Sequence, residues 1–145
     1  MKITDIEYKQ IKVRLTAPMH LAFGTIDYCD ATLISITTDK GITGLGEASV
    51  TPFVTGETPQ TVQVALDLFK PLLLGQDPLA LERIHHIMDM AIHGNSSAKA
   101  AVDIALYDIW GKSAELPLYR LLGGKDNRAY TDITIGVDSP EDMAR

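Results

Sequence analysis

The sequence holds only one cysteine, Cys29, among its 145 residues. An internal disulfide is therefore excluded, and a reducing compartment is the simpler expectation. The amino terminus enters an alternating polar and apolar pattern at once and lacks the continuous apolar run of a signal peptide. The densest apolar stretch, around residues 72–74, is far too short to cross a bilayer. These absences predict a cytoplasmic protein without a membrane partner.

Positive charge is also scarce, with 13 Lys and Arg against 19 Asp and Glu and a formal net charge of −6. Such a surface repels polyanions, so neither nucleic acid nor an anionic membrane is an expected partner. The apolar content of 46% and the charged content of 22% are typical of a globular domain with a real core. The composition leaves a small-molecule ligand and a homo-oligomer open.

The first 50 residues predict an antiparallel sheet. Residues 2–15 alternate polar and apolar side chains, as a strand does, and a loop of small and apolar residues is expected over 16–25. Residues 31–38 and 42–48 form a predicted hairpin around a turn in which Gly41 can take a positive φ. Three antiparallel strands would leave one face of the sheet uncovered.

Helices over residues 58–124 are predicted to cover that face. Thr-Pro at 58–59 and Asp-Pro at 77–78 are start signals for the first two helices. A third helix follows a capping residue at 95–96 and carries small apolar residues that would let a neighbour approach closely. A short fourth helix runs from Pro117 to the double glycine at 123–124.

The pattern changes after residue 124. A strictly alternating strand is predicted over 130–137, and Ser139 and Pro140 then start a helix. A strand that leads directly into a capped helix is how a βα unit begins. We therefore predict one domain over 1–124, with its sheet in 1–50, and the first unit of a barrel over 125–145. A complete barrel needs about 250 residues, so the remainder is expected to be absent.

Three stretches stand out by their order and spacing: residues 44–48 (GLGEA), 100–112 (AAVDIALYDIWGK) and 116–124 (LPLYRLLGG). Together they resemble the muconate-lactonizing subgroup of the enolase superfamily, and the resemblance covers essentially the whole chain. Within that subgroup, residues 55–58 (TGET) and 131–135 (TDITI) resemble the second capping loop and the first barrel strand of dipeptide epimerases.

The resemblance implies an α+β capping domain, a three-stranded antiparallel sheet plus a helical bundle, followed by the start of a (β/α)8 barrel. It implies Mg²⁺ held by three acidic ligands and two lysines that move the α-proton of a dipeptide's C-terminal residue. In the family these groups lie on later barrel strands. No catalytic residue and no metal ligand is therefore expected within 1–145, and this segment would supply the substrate-specificity cap of an isomerase.

Thr134 is the leading candidate for contact with the substrate. It lies on the polar face of its predicted strand near the carboxyl end, where barrel active sites are built, and the resemblance places a substrate contact there. A threonine that only satisfies backbone groups is the alternative. The apolar first capping loop adds Phe23, Gly24 and Thr25, and the second loop adds Thr55.

Gly24 departs from the pattern of Ala-Glu epimerases, in which an arginine usually binds the substrate's glutamate carboxylate. Strict Ala-Glu specificity is therefore not expected, unless His20 or a later residue supplies the cation. Glu57 either lines the site or favours the positive end of the helix that follows it. Adjacent His85 and His86 point about 100° apart on a helix, so they are not expected to form a metal pair.

Two other functions remain open on the sequence. One is an o-succinylbenzoate synthase or N-acylamino-acid racemase of the same superfamily, which the loop at 55–58 disfavours. The other is a free-standing binding module without catalysis, which an end just inside a helix at 143–145 disfavours.

Overall fold

A three-stranded antiparallel sheet comes first along the chain, and helices follow it. The computed structural model describes residues 1–22, 24–132 and 136–143. The strands are β1 (Ile3–Leu21), β2 (Gly24–Thr38) and β3 (Thr43–Ser49), and the helices are α1 (Pro52–Thr55), α2 (Pro59–Leu73), α3 (Leu81–Ala91), α4 (Ser96–Ser113), α5 (Leu118–Leu121) and α6 (Pro140–Met143). The predicted fold class is confirmed.

Strands β1 and β2 form a hairpin much longer than the sequence predicts. Pairing continues until Leu21 faces Gly24, with one irregularity between Arg14 and Met19. The predicted loop over 16–25 is therefore wrong. Strand pairing satisfies the backbone groups of this stretch, and Pro18, which cannot donate a hydrogen bond, falls in the irregular part, where it is tolerated.

Helix α4 lies so close to β3 that the strand has no room for a side chain at positions 44 and 46. A Cβ atom added to Gly46 would lie 1.9 Å from the carbonyl oxygen of Ala101, and one added to Gly44 would lie 2.0 Å from that of Ala105. Both alanines are completely buried. We call this contact the α4–β3 junction. Small residues on both elements are a steric requirement there.

Two charged side chains of α4 cover the outer edge of β3. The Asp108 carboxylate accepts a hydrogen bond from the backbone N–H of Leu45 at 2.8 Å, and the Lys112 ammonium donates to the Thr43 carbonyl at 2.8 Å. The two charges are themselves 2.7 Å apart. Unpaired edge groups invite association with another strand, and this pair satisfies two of them.

Helices α2 and α3 complete the core. The predicted start of α2 is confirmed, because Thr58 and Thr61 form reciprocal capping hydrogen bonds. The start of α3 is Leu81 rather than the residue after Asp77. Asp77 and Pro78 form a turn instead, in which the Asp77 side chain accepts from the N–H of Leu79 at 3.1 Å. Within the described residues, no helix is both long and apolar enough to cross a membrane.

The predicted strand over 130–137 is not present in the part that the structure describes. Residues 130–132 and 136–137 belong to no strand, and residues 133–135 lie outside the described residues. A barrel strand is stabilised by hydrogen bonds to a strand on each side, and the described residues form no neighbouring barrel strand. Instead, the N–H of Val137 donates to the carbonyl of His20 in β1 at 2.8 Å.

Candidate substrate-binding site

The tip of the β1–β2 hairpin carries two of the predicted site residues on its exposed surface. Gly24 has a φ of 144°, and a Cβ atom added there would meet nothing within 4 Å. Thr25 pairs with His20 across the hairpin, and its hydroxyl lies 2.9 Å from Nδ1 of the imidazole. This contact orients the ring of His20. Phe23 lies outside the described residues.

The second capping loop contains the one-turn helix α1, which the sequence reading missed. The exposed Thr55 hydroxyl donates to the Thr51 carbonyl at 3.4 Å and accepts from the N–H of Glu57 at 3.3 Å. Gly56 ends the turn with a φ of 71°. The Thr55 side chain therefore holds its own loop together, and a substrate contact at this residue stays a prediction.

The Glu57 side chain turns away from the hairpin and towards α4. It is only 6% exposed, and its carboxylate accepts a hydrogen bond from the backbone N–H of Ser97 at 3.0 Å and another from the Ser97 hydroxyl. Glu57 therefore lacks the predicted contact with the helix that follows it, while a place for it in the substrate site stays a prediction. It contacts the positive end of α4, and not that of α2, the next long helix.

A cavity of about 350 Å³ lies between the hairpin and the start of the second loop. Most of its wall is apolar, and among the described residues that line it the carboxylate of Asp30 is the one charged group. The lining residues are Leu15, Met19, Ile26, Tyr28, Cys29, Asp30, Val50, Thr51, Pro52 and Phe53. We call this space the hairpin cavity. An uncharged side chain would fit it better than a carboxylate would.

The wall of the hairpin cavity contains residues that sequence reasoning missed. Ile26 and Tyr28 lie on β2, and Leu15 lies on β1. The signal in the sequence was the alternation of apolar with other residues, which continues past residue 15 and resumes before residue 31. The prediction of a loop over 16–25 did not take this alternation into account. Gly24, Thr25 and Thr55 do not line this cavity.

A second cavity of about 290 Å³ lies where the hairpin meets residues 136–138. Met19 and His20 contribute to its wall, together with Gly136 and Met143. The hairpin thus contacts the carboxyl end of the predicted barrel strand. Thr134, on that strand, lies outside the described residues, so its contact with a substrate stays a prediction.

The described residues contain no metal centre. Among them, no three His, Cys, Asp or Glu side chains lie close enough together to bind an ion. These residues therefore do not fit a magnesium site of their own. His85 instead binds Asp103 of α4, with Nε2 and Oδ1 2.5 Å apart.

The displaced pKa values of the described groups belong to surface contacts outside the hairpin cavity. A hydrogen bond from Lys70 lowers the pKa of Asp5, and one from Lys99 lowers that of Asp89. The hydrogen bond to Asp67 raises the pKa of Tyr8. None of these groups lines the hairpin cavity, so shape and polarity are what the cavity offers a ligand.

The class of protein follows from the whole chain. Residues 4–123 match the N-terminal domain of the mandelate racemase/muconate lactonizing enzyme family, and the chain belongs to that family. It is 41% identical over 145 residues to the hydrophobic dipeptide epimerase of Enterococcus faecalis V583, covering 100% of this chain and 41% of that protein. It is 42% identical to the L-Ala-D/L-Glu epimerase of Bacillus subtilis, covering 99% and 40%. The predicted resemblance is confirmed.

Solved structures with a similar fold come from the same kinds of enzyme. A dipeptide epimerase from Enterococcus faecalis V583, complexed with Mg and L-Leu-L-Tyr, superposes with a TM-score of 0.96 at 42% identity, over 99% of this chain and 41% of that one. An N-succinyl Arg/Lys racemase from Bacillus cereus superposes with a TM-score of 0.92 at 36% identity, over 99% and 40%. The chain spans about two-fifths of the length of these relatives.

Proposed function

We propose that this chain is the specificity cap of a longer, Mg²⁺-dependent dipeptide epimerase, and that the hairpin cavity receives the side chain of the substrate's C-terminal residue. The observation that carries the proposal is the largely apolar wall of that cavity, built from both capping loops. The likeness to dipeptide epimerases over 99% or more of the chain supports the reaction class.

The reaction moves one proton and leaves every other atom in place. The α-proton beside a carboxylate is very weakly acidic, and its removal leaves two negative charges on the carboxylate oxygens. A base on one face takes the proton, and an acid on the opposite face returns one, so the stereocentre inverts. A bound divalent cation would stabilise the developing charge. The two lysines and the metal ligands are expected beyond residue 145.

The residues of this chain would bind the substrate and exclude water from it. In the hairpin cavity, Met19 and Ile26 face the substrate side chain from the hairpin, and Phe53 faces it from the second loop. Burial of an apolar side chain of leucine size contributes roughly 1.5–3 kcal/mol. Gly24 itself carries no cation, so a glutamate side chain would gain no charge-assisted hydrogen bond from this position.

Exchange of the substrate's α-proton for deuterium tests this proposal directly. The full-length protein would be incubated in D₂O with L-Ala-L-Leu, L-Ala-L-Glu and an N-succinyl amino acid, with and without Mg²⁺. We expect Mg²⁺-dependent exchange that is fastest with L-Ala-L-Leu. Exchange confined to the N-succinyl amino acid would favour the racemase function instead, and no exchange with any of them would refute an epimerase.

A further inference from the structure

Glu57 connects the second capping loop to α4, the helix that packs closely on β3. The first N–H groups of a helix have no partner within the helix, and Asn95, which precedes α4, makes no capping hydrogen bond with its side chain. The buried Glu57 carboxylate reaches Ser97 in that first turn from 40 residues earlier in the chain. A negative charge at this end of a helix is stabilising.

This contact fixes the loop at a defined distance from the sheet. Gly44 and Gly46 bring β3 into close contact with the backbone of α4, so the helix cannot move nearer to the sheet. Glu57 is in turn held to the preceding turn by its N–H, which donates to Thr55, while Thr58 begins the capping of α2. The segment from Thr51 to Glu57 is therefore held at its end by α4.

The same segment forms one wall of the hairpin cavity, through Thr51, Pro52 and Phe53. The opposite wall comes from β1 and β2. The width of the cavity thus depends on where α4 holds the second loop. We propose that Glu57 is a positioning residue for substrate selection, which keeps this wall in place through Ser97. The inference rests on the proposed function, since it assigns Glu57 a part in the binding of that substrate.

The test compares Glu57→Ala with Asp108→Ala in the full-length protein. Asp108 also anchors α4, but to the outer edge of β3 and away from the hairpin cavity. Loss of a charge-assisted contact predicts a KM for L-Ala-L-Leu about tenfold higher in Glu57→Ala, with kcat within about twofold of the wild type. Glu57→Gln keeps the length and one acceptor, so it should recover part of the loss. Asp108→Ala should lower the melting temperature and leave KM unchanged.

Amide hydrogen exchange gives a readout that does not need activity. Peptides covering residues 51–57 should exchange faster in Glu57→Ala than in the wild type, and should be unchanged in Asp108→Ala. Should Glu57→Ala not fold, Ser97→Ala removes only the hydroxyl and should show both effects at a smaller size.

Unchanged KM and unchanged exchange over residues 51–57 would overturn the role of Glu57. So would equal KM changes in the Glu57 and Asp108 variants, which would show a general loss of stability. If the wild type epimerises no dipeptide while exchange over 51–57 still accelerates in Glu57→Ala, the proposed function fails and the anchoring of the loop stands.

Discussion

The α4–β3 junction and the two capping loops place opposite demands on the sequence. At the junction, an added Cβ on Gly46 would lie 1.9 Å from a backbone oxygen, whereas one on Gly24 at the hairpin tip would meet nothing within 4 Å. The stretches 44–48 and 100–112 that reveal the family are the two sides of this junction. Two of the three stretches that reveal the family are therefore packing residues, whereas Gly24 at the hairpin tip is sterically free to differ.

The largest expected effect is at the junction itself. Gly46→Ala forces α4 away from β3, and overpacking of this kind should cost about 3 kcal/mol of unfolding free energy. Gly111→Ala, also on α4, is the control. A Cβ atom added there would lie 3.3 Å from the Leu116 carbonyl oxygen, so the unfolding free energy should change by less than about 1 kcal/mol. Chemical denaturation measures both. Wild-type stability in Gly46→Ala would show that the two elements are not in direct backbone contact.

The edge of β3 gives a smaller effect at the same junction. Asp108→Ala leaves the N–H of Leu45 without its charged acceptor and breaks the ion pair with Lys112. We expect a loss of roughly 1–2 kcal/mol in denaturant unfolding. Asp89→Ala breaks the ion pair of the exposed Asp89 carboxylate with Lys99, which involves no strand edge, and should have a smaller effect. Equal losses of unfolding free energy in the two variants would show that the contact of Asp108 with the edge of β3 has no special role.

A substitution at the hairpin tip should change substrate specificity rather than the stability of the fold. Gly24→Arg adds a cation with room for its side chain, so kcat/KM should shift towards L-Ala-L-Glu over L-Ala-L-Leu by about tenfold. The φ of 144° strains any residue with a side chain, and Gly24→Ala carries that strain without the charge. If both variants change the ratio alike, the cation is not responsible.

The smallest expected effect is on the stability of the fold at acid pH, through the ion pair of Asp5 in β1 with Lys70 in α2. The pKa of Asp5 lies below its ordinary value, first because Lys70 hydrogen-bonds the carboxylate and then because the N–H of Ile6 does. The ionised form therefore stabilises the fold above that ordinary value, and the contribution is lost as the pH falls through the lowered pKa. Asp5→Asn should give a slightly shallower loss of stability below about pH 4, and Lys70→Gln should do the same. An unchanged acid transition in both would contradict the assignment.

Much of the fold could be predicted from the sequence because its signals are local. The Thr58 start of α2, the turn at Gly41 and the short helix after Pro117 follow from capping and turn chemistry. The full length of the hairpin was not predicted, although its alternation continues in the sequence, because its small residues and Pro18 are equally typical of a loop.

The candidate site was harder to predict, because its residues come from separate stretches of the chain. Gly24, Thr25 and Thr55 lie on the expected loops, but the cavity wall is formed by neighbours on the strands, such as Ile26. The anchoring of Glu57 to Ser97 joins residues 40 positions apart. No local pattern marks a side chain that caps a helix so distant in sequence.

The most direct test of the selective role of the hairpin cavity compares two neighbours on α1. Phe53 lines the cavity and is 78% exposed, whereas Val54 is 75% exposed and does not line it. In the full-length protein, Phe53→Ala should lower kcat/KM for L-Ala-L-Leu relative to L-Ala-L-Glu by about tenfold, and Val54→Ala should leave the ratio unchanged. An unchanged ratio in Phe53→Ala, or the same change in both, would contradict selection of the substrate by this cavity.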